Sequence, residues 1–422
     1  LNNSPQEFLY SLIDYEQTVG YDYDLDSYKV FLDLLGAPHK QLTNVILVGG
    51  TKGKGSTAAI INACLISGGY RVGLYSSPHL NRLNERIRVN NRSITDAEID
   101  TYLAKIKPQI STKRGARSFF EALTTIALMY FLERKMDFTI LEVGLGGRLD
   151  ATNASNPSIS VITRIGYDHT NLLGTTLSQI TNEKAGIIRE NGRLITIHQR
   201  TDAEKIIKRV AKERNSIIIF ADEQNRIRVN NMSLTGSHVS ITGRIGDMSV
   251  FLPLAGGHQI ENLSIALAVL FEMKAMGFYL DLETIMRGIA NTQLRGRFNI
   301  ISQTPLVIFD CAHNEDSFRA LDNNLRAFCI DDFNVIFGTN KDKDISYCLK
   351  HIFPKARQVF LVKSDNPRAL DPEELLTQAK KHQSRVAISA SVREALKSAS
   401  ANEAKATLVT GSFYLWQKDW RV

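Results

Sequence analysis

The 422-residue chain has no apolar run approaching the roughly 20 residues of a membrane-spanning helix, so no such helix is expected. Its opening stretch, Leu1 to Asp14, lacks the apolar segment of a secretory signal. Cysteine is scarce. Cys64, Cys311, Cys329 and Cys348 stand far apart, without the spacing of a zinc site. Such usage fits small core residues in a reducing, cytoplasmic compartment. Low-complexity stretches and short-period repeats are missing, which excludes a solenoid. No basic tract is interleaved with aromatics, so the net charge of +7 does not point to nucleic acid. Polyanionic small molecules account for that excess equally well. What is present is 43% hydrophobic and 23% charged residues, ordinary for a soluble globular enzyme. The length allows two or three domains, each with its own core.

One stretch organises the rest. The apolar run Val45-Ile46-Leu47-Val48 stops at Gly49-Gly50, continues as Thr51-Lys52-Gly53-Lys54-Gly55-Ser56-Thr57, and leads into a helical pattern from Ala58 to Ile66. Strand, glycine-rich loop and helix form the layout of a phosphate cradle. Backbone N–H groups can crowd a polyanion only where no Cβ intervenes, and the helix start adds partial positive charge. Lys54 would reach the outer phosphates, and Ser56 or Thr57 would face a magnesium ion. The strict G-x-x-x-x-G-K-[ST] pattern is not met. Val48 occupies the first glycine position and Gly55 separates Lys54 from Ser56, so a tight turn in a glycine-rich connection is the alternative.

Helical spacing is expected over 4–17 and 25–35. Arg71 to Tyr75 then reads as a buried strand, which completes β-α-β and implies a parallel sheet. Polar clusters follow three strand ends, where open α/β sheets place ligands. They are Ser76-Ser77-Pro78-His79, then Glu142 ahead of a glycine run, then Asp168-His169. Glu142 suits a magnesium ligand, or else a helix cap or a partner for Arg148. The segment to Asn91, with Arg82, Arg86 and Arg88, is either a solvated loop or an ordered flap over an acidic ligand. Ser118 and Glu121 form a capping box for a helix over 119–133. Residues 226–254 read as a small antiparallel meander. A boundary at 292–297 divides 1–294 from 298–422, where strands are expected at 306–310, 334–337, 359–362, 386–388 and 407–410. Trp416 and Trp420 are expected to dock a last helix.

Taken together, these clusters resemble the folylpolyglutamate synthase and dihydrofolate synthase family of the Mur ligase superfamily. Gly50 to Ser56 resembles its GTNGKGS, with Lys52 in place of Asn. Leu74 to Leu80 resembles YTSPHL, Asn84 to Ile87 NERI, and Phe120-Glu121-Ala122-Leu123-Thr124 FExxT. Glu142 to Asn153 reads EVGLGGRLDATN. Lys184 to Ile188 lies in EKAGII, and His258, Gln259 and Asn262 fit HQxxN. Gly296-Arg297-Phe298, Asp310 to Asn314, Asp342-Lys343-Asp344 and Val409 to Ser412 match in the second half. Cys311 and Glu315 depart from DGAHNP, and Asn299 from GRFE.

The resemblance implies an α/β protein with a Mur-ligase-like P-loop domain carrying a small antiparallel β element, plus a smaller C-terminal Rossmann-like domain. It implies an ATP-dependent ligase that adds L-glutamate to a folate, and to dihydropteroate as a second activity, through an acyl phosphate. The alternatives are a Mur-type amide ligase for another carboxylate and an inactive nucleotide-binding paralogue. It implies catalytic roles for Lys54, Glu142, His169, Lys184 and His313. ATP would meet Gly50, Thr51, Lys52, Gly53, Lys54, Gly55, Ser56, Asn262, Arg297 and Asp310. Mg2+, at two sites, would be held by Ser77, Glu142 and His169. Ser77, Pro78, His79, Arg82, Arg86, Phe120, Glu121 and Ser412 would meet the folate or the glutamate. Lys184 corresponds to a lysine that the family carbamylates, and the family resembles monomers; no membrane partner is implied.

Overall fold

The computed structural model describes residues 5–12, 24–110, 117–417 and 419–420. Its first half is built on eight strands, β1 (Val45–Gly49), β2 (Val72–Tyr75), β3 (Ile87–Val89), β4 (Arg92–Ser93), β5 (Phe138–Glu142), β6 (Ile159–Ile162), β7 (Arg193–Thr196) and β8 (Ile217–Phe220). Their order is β4-β3-β2-β5-β1-β6-β7-β8. The strands from β2 to β8 in that order run parallel, while β3 and β4 are antiparallel additions at one edge. Every residue of β1 and β5 is buried, because helices cover both faces. Alternate residues feed opposite cores. Val45 and Leu47 join the layer containing helix Phe119–Glu133, and Ile46 and Val48 join the layer of helices Lys54–Ser67 and His258–Ala275.

The pairings Val48 with Glu142, Gly49 with Ile162, and Tyr75 with Leu141 align four carboxyl ends of strands. The loops that follow them therefore emerge side by side. Next comes a meander of β9 (Asn225–Ser233), β10 (Gly236–Gly243) and β11 (Met248–Leu252). A second sheet contains β12 (Asn299–Gln303), β13 (Leu306–Asp310), β14 (Phe333–Phe337), β15 (Val359–Leu361), β16 (Val386–Ile388) and β17 (Ala406–Thr410), in the order β12-β13-β17-β14-β15-β16. It is parallel apart from β12 and has its own two apolar layers.

Three local expectations need correction. The arginine segment after β2 is not a solvated loop. It folds back as β3 and β4 through Asn90 and Asn91, whose positive φ values of 46° and 64° suit a two-residue hairpin turn. Strand β12 was not expected; its serine and glutamine at the rim mask a short antiparallel partner of β13. The tail carries no further α-helix among the described residues. Trp416 and Trp420 instead pack against Phe309, at ring distances of 5.1 and 5.8 Å. The first helix spans Pro5–Ser11, and residues 4 and 13–17 of the expected one lie outside the described residues. Cys64, Cys311 and Cys348 are buried and Cys329 is exposed; all four are free thiols.

Candidate active site

A cavity of about 560 Å³ opens between the two sheets. Thr51 to Ser56, Ser77, Pro78, Glu142 and His169 line it from one side, with Asn262, and Arg297, Asp310, His313 and Ser412 from the other. The glycine loop leaves β1 and is clamped from below. The amides of Thr51 and Lys52 both donate to the Arg164 carbonyl, at 2.9 and 3.0 Å. Gly53 starts the helix Lys54–Ser67 at φ 90°, and a Cβ there would sit 2.0 Å from Asn262 Oδ1. No side chain caps this end, so the first-turn amides have no partner within the helix and suit an anion. Ser56 reaches the cavity, whereas Thr57 is fully buried away from it.

Two ammonium groups converge behind the loop. Lys54 Nζ and Lys184 Nζ donate to the Gly50 carbonyl at 3.2 and 3.0 Å. Lys184 does not line the cavity. Burial, with Lys54 beside it, pushes its pKa down to about 7. Glu142 lies over the loop, within 3.5 Å of where a Gly55 Cβ would stand, and accepts the Ser77 amide at 3.2 Å. Burial raises its pKa, with Lys54 opposing. Arg148 is not its partner, being paired with Glu183 at 3.0 Å. His169 is kept neutral by burial, its pKa pushed down to about 4 against the pull of Asp168.

Across the cavity, Asp310 accepts the Phe298 and Ala312 amides, both at 2.8 Å, and lies beside Arg297. Arg297 stands 5.0 Å from the Phe413 ring centre and contacts the Cys311 sulfur. His313 donates Nδ1–H to the Cys311 carbonyl at 2.8 Å, which leaves Nε2 as an acceptor. Burial and Lys52 push its pKa down to about 3. Ser412 Oγ accepts the Tyr414 amide at 3.2 Å.

The expected folate cradle separates into two groups. Pro78 lines the cavity. His79, Arg86 and Phe120 do not line it: Arg86 Nε donates to His79 Nδ1 at 3.0 Å, and the Phe120 ring packs where a Gly144 Cβ would fall. Arg86 is buried and pairs with no carboxylate among the described residues. Arg82 and Glu121 are not brought there. Arg82 pairs with Asp96 at 2.5 Å on the surface, because the Leu83–Arg86 turn points it outward. Glu121 Oε2 accepts the Ser118 amide at 2.8 Å as part of the helix cap. Reasoning from the sequence assigned no cavity role to Arg164, Asp316 or Lys343, all of which line it. Lys343 stood inside a matched motif; Arg164 and Asp316 carried no signal.

No three His, Cys, Asp or Glu side chains converge as a preformed metal centre among the described residues. The donors nevertheless suit a hard divalent ion. Glu142 is a buried carboxylate without a cation in hydrogen-bond contact, Ser77 offers a hydroxyl on the same wall, and His169 is neutral.

Comparison with known proteins places the chain in a family. The Mur ligase middle domain profile matches residues 48–270, and the Mur ligase, glutamate ligase domain profile matches 296–413. A Bacillus subtilis dihydrofolate synthase/folylpolyglutamate synthase is 34% identical over 81% of this chain and 81% of its own length. A probable bifunctional folylpolyglutamate synthase/dihydropteroate synthase of Haloferax volcanii is 31% identical over 86% of this chain, which spans only 44% of that protein. The Mycobacterium tuberculosis folylpolyglutamate synthase complexed with ADP and AMPPCP superposes with a TM-score of 0.86 at 29% identity, covering 93% of both chains. Escherichia coli FolC in complex with DHPP and ADP gives 0.86 at 30% identity, over 98% of this chain and 96% of the other. Matching profiles in both halves, together with relatives alike over most of the chain, show that this protein belongs to the folylpolyglutamate synthase/dihydrofolate synthase family of the Mur ligases.

Proposed function

We propose that the protein adds L-glutamate to a folate with hydrolysis of ATP, and that dihydropteroate is a second acceptor. The carrying observation is the single cavity that joins the uncapped glycine loop and Glu142 to Arg297, Asp310 and His313. Transfer of the γ-phosphoryl group to the acceptor carboxylate makes an acyl phosphate, whose leaving group is phosphate. The glutamate amine attacks the carbonyl carbon, the tetrahedral intermediate expels phosphate, and an amide forms with loss of a proton from nitrogen. Most of the rate gain then comes from positioning and charge neutralisation.

In this reading the first-turn amides, Lys54 and Ser56 hold the phosphates, Asn262 abuts the loop, and Asp310 and Arg297 take the nucleotide from the second domain. Glu142, Ser77 and His169 would hold Mg2+, which when bound supplies charge neutralisation between phosphates and substrate carboxylate. His313, its pKa pushed down to about 3, is too weak a base to hold a proton at neutral pH; it orients the incoming amine through Nε2. Arg86, His79 and Phe120 face the acceptor, Ser412 the glutamate. Segment 292–297 serves as a hinge between 1–294 and 298–422, closing the cleft against water. The protein acts as a cytoplasmic monomer. A product assay tests the reading: ATP, magnesium and glutamate with dihydropteroate or tetrahydrofolate, read by mass. A glutamyl adduct is expected, and its absence with both acceptors refutes it.

Lys184 is read as the carbamylated lysine. At a pKa of about 7 a substantial fraction is neutral at physiological pH, and a neutral amine attacks CO2, forming an N–C bond and releasing one proton. Falling pH protonates the amine, so the carbamate is expected above about pH 7 and lost below it. With 13C-bicarbonate, a carbamate resonance should appear in the wild type and be absent from Lys184→Met. Activity of that variant should fall by about 10–100-fold, the usual loss for a supporting ligand. A resonance that persists in the variant excludes this site.

A further inference from the structure

Lys52 has a side-chain environment that the loop's phosphate role does not use. Its amide is committed to the Arg164 carbonyl at 3.0 Å, so the side chain, not the backbone, faces the cleft. Nζ donates to Asn314 Oδ1 at 2.6 Å and lies 3.6 Å from Asp168 Oδ2. Asn314 Nδ2 donates to the same Asp168 oxygen at 2.9 Å. Asn314 also begins the helix Glu315–Ala327, accepting the Ser317 amide at 3.1 Å. The triangle therefore joins the phosphate loop and the end of β6 to the first turn of a helix in the second domain. A second contact lies beside it. A Cβ at Gly166 would fall 2.3 Å from Asp316 Oδ2, so the helix start rests directly on the loop after β6.

In the sequence pattern this loop resembles, position 52 is a neutral Asn. Here it is an ammonium that lines the cavity, as Lys54 and Lys343 do. Asp168 Oδ2 is the shared acceptor that holds Lys52 and Asn314 on one side of the ammonium, which leaves its other side to face an incoming anion.

We propose that Lys52 is a positioning residue that couples the terminal phosphate of a nucleotide on the glycine loop to the seating of the second domain, through Asn314 and Asp168. Lys52 holds the helix start by one hydrogen bond and one ion pair. A triphosphate adds an anionic partner on the opposite side of the ammonium, and the same side chain then bridges phosphate and second domain. A diphosphate lacks the outermost group and gains less. The proposal rests on nucleotide binding at this loop and goes beyond the ligase reading by assigning discrimination between nucleotide states to one side chain.

The test uses the full chain with Lys52→Asn, Lys52→Arg and Asn314→Ser, the last retaining a residue able to cap the helix. Affinities for a non-hydrolysable ATP analogue and for ADP are measured by calorimetry, and KM for ATP and kcat by turnover. Lys52→Asn should lower the ratio of triphosphate to diphosphate affinity by about tenfold and raise KM for ATP similarly, with a smaller change in kcat. Lys52→Arg should restore most of the ratio. The double variant Lys52→Asn/Asn314→Ser should lose little more than Lys52→Asn alone, since both remove one shared contact. An unchanged ratio in Lys52→Asn, or losses from the two sites that multiply independently, overturns the proposal. A wild-type chain that binds neither nucleotide overturns the ligase reading instead, so the two failures are distinguishable.

Discussion

Glu142→Ala is expected to reduce turnover by at least about 10³-fold, in the range seen when preorganised charge stabilisation is removed. The carboxylate is buried over the glycine loop with no cation bonded to it, and burial already raises its pKa. Such a group destabilises the empty protein slightly, so the thermal midpoint of the variant should stay level or rise. Affinity for nucleotide without divalent metal should stay largely intact, because Glu142 contributes no positive charge to the phosphates. Glu142→Gln separates charge from shape: it preserves the volume and an acceptor for the Ser77 amide but removes the anion. Both variants should be similarly inactive, and magnesium should no longer tighten nucleotide binding. Turnover near the wild-type level in either variant would refute the metal role.

The second large effect is expected from Gly53→Ala. At φ 90° an L side chain is strained, by roughly 1–2 kcal/mol. Here the added methyl also meets Asn262 Oδ1 at 2.0 Å, against a buried side chain that is itself bonded to Gln259 at 2.9 Å. The loop must shift, and the amides that face the anion shift with it. A displacement of about 1 Å in a positioned site costs on the order of 10²-fold, so ADP affinity and kcat/KM should each fall by about that factor. Calorimetric titration and thermal melting check this together. A folded Gly53→Ala protein with unchanged ADP affinity would show that the loop amides do not carry the nucleotide.

The parts of the site legible in the sequence were those encoded by neighbours along the chain. The β-branched run ending at Gly49, the loop to Ser56 and the Ser118–Glu121 capping box are all local patterns, and the structure contains each of them. The same capping box shows the limit. A motif match also placed Glu121 against substrate, and in the structure one of its carboxylate oxygens takes the Ser118 amide in the cap. Arg82 is similar: its charge suited an acidic ligand, but a turn of the chain directs it to Asp96. Strand β12 and the Asn90-Asn91 hairpin escaped notice because strands of five residues or fewer carry too little periodicity to separate strand from loop.

The sequence alone determined the order of the longer strands, loops and helices, and hence which residues sit at those strand ends. Periodicity and glycine placement act over a few residues and need no distant partner. Only the tertiary structure decided which of those ends meet, which carboxylates are spent on caps, and which side chains are neutral. Lys52 and Asn314 lie 262 residues apart, and Lys184 and Gly50 lie 134 apart. A pKa of about 7 at Lys184, or about 3 at His313, arises from burial and from charges that other segments bring alongside. Desolvation and Coulomb interaction depend on distance in space, which packing of the two sheets sets and sequence separation does not.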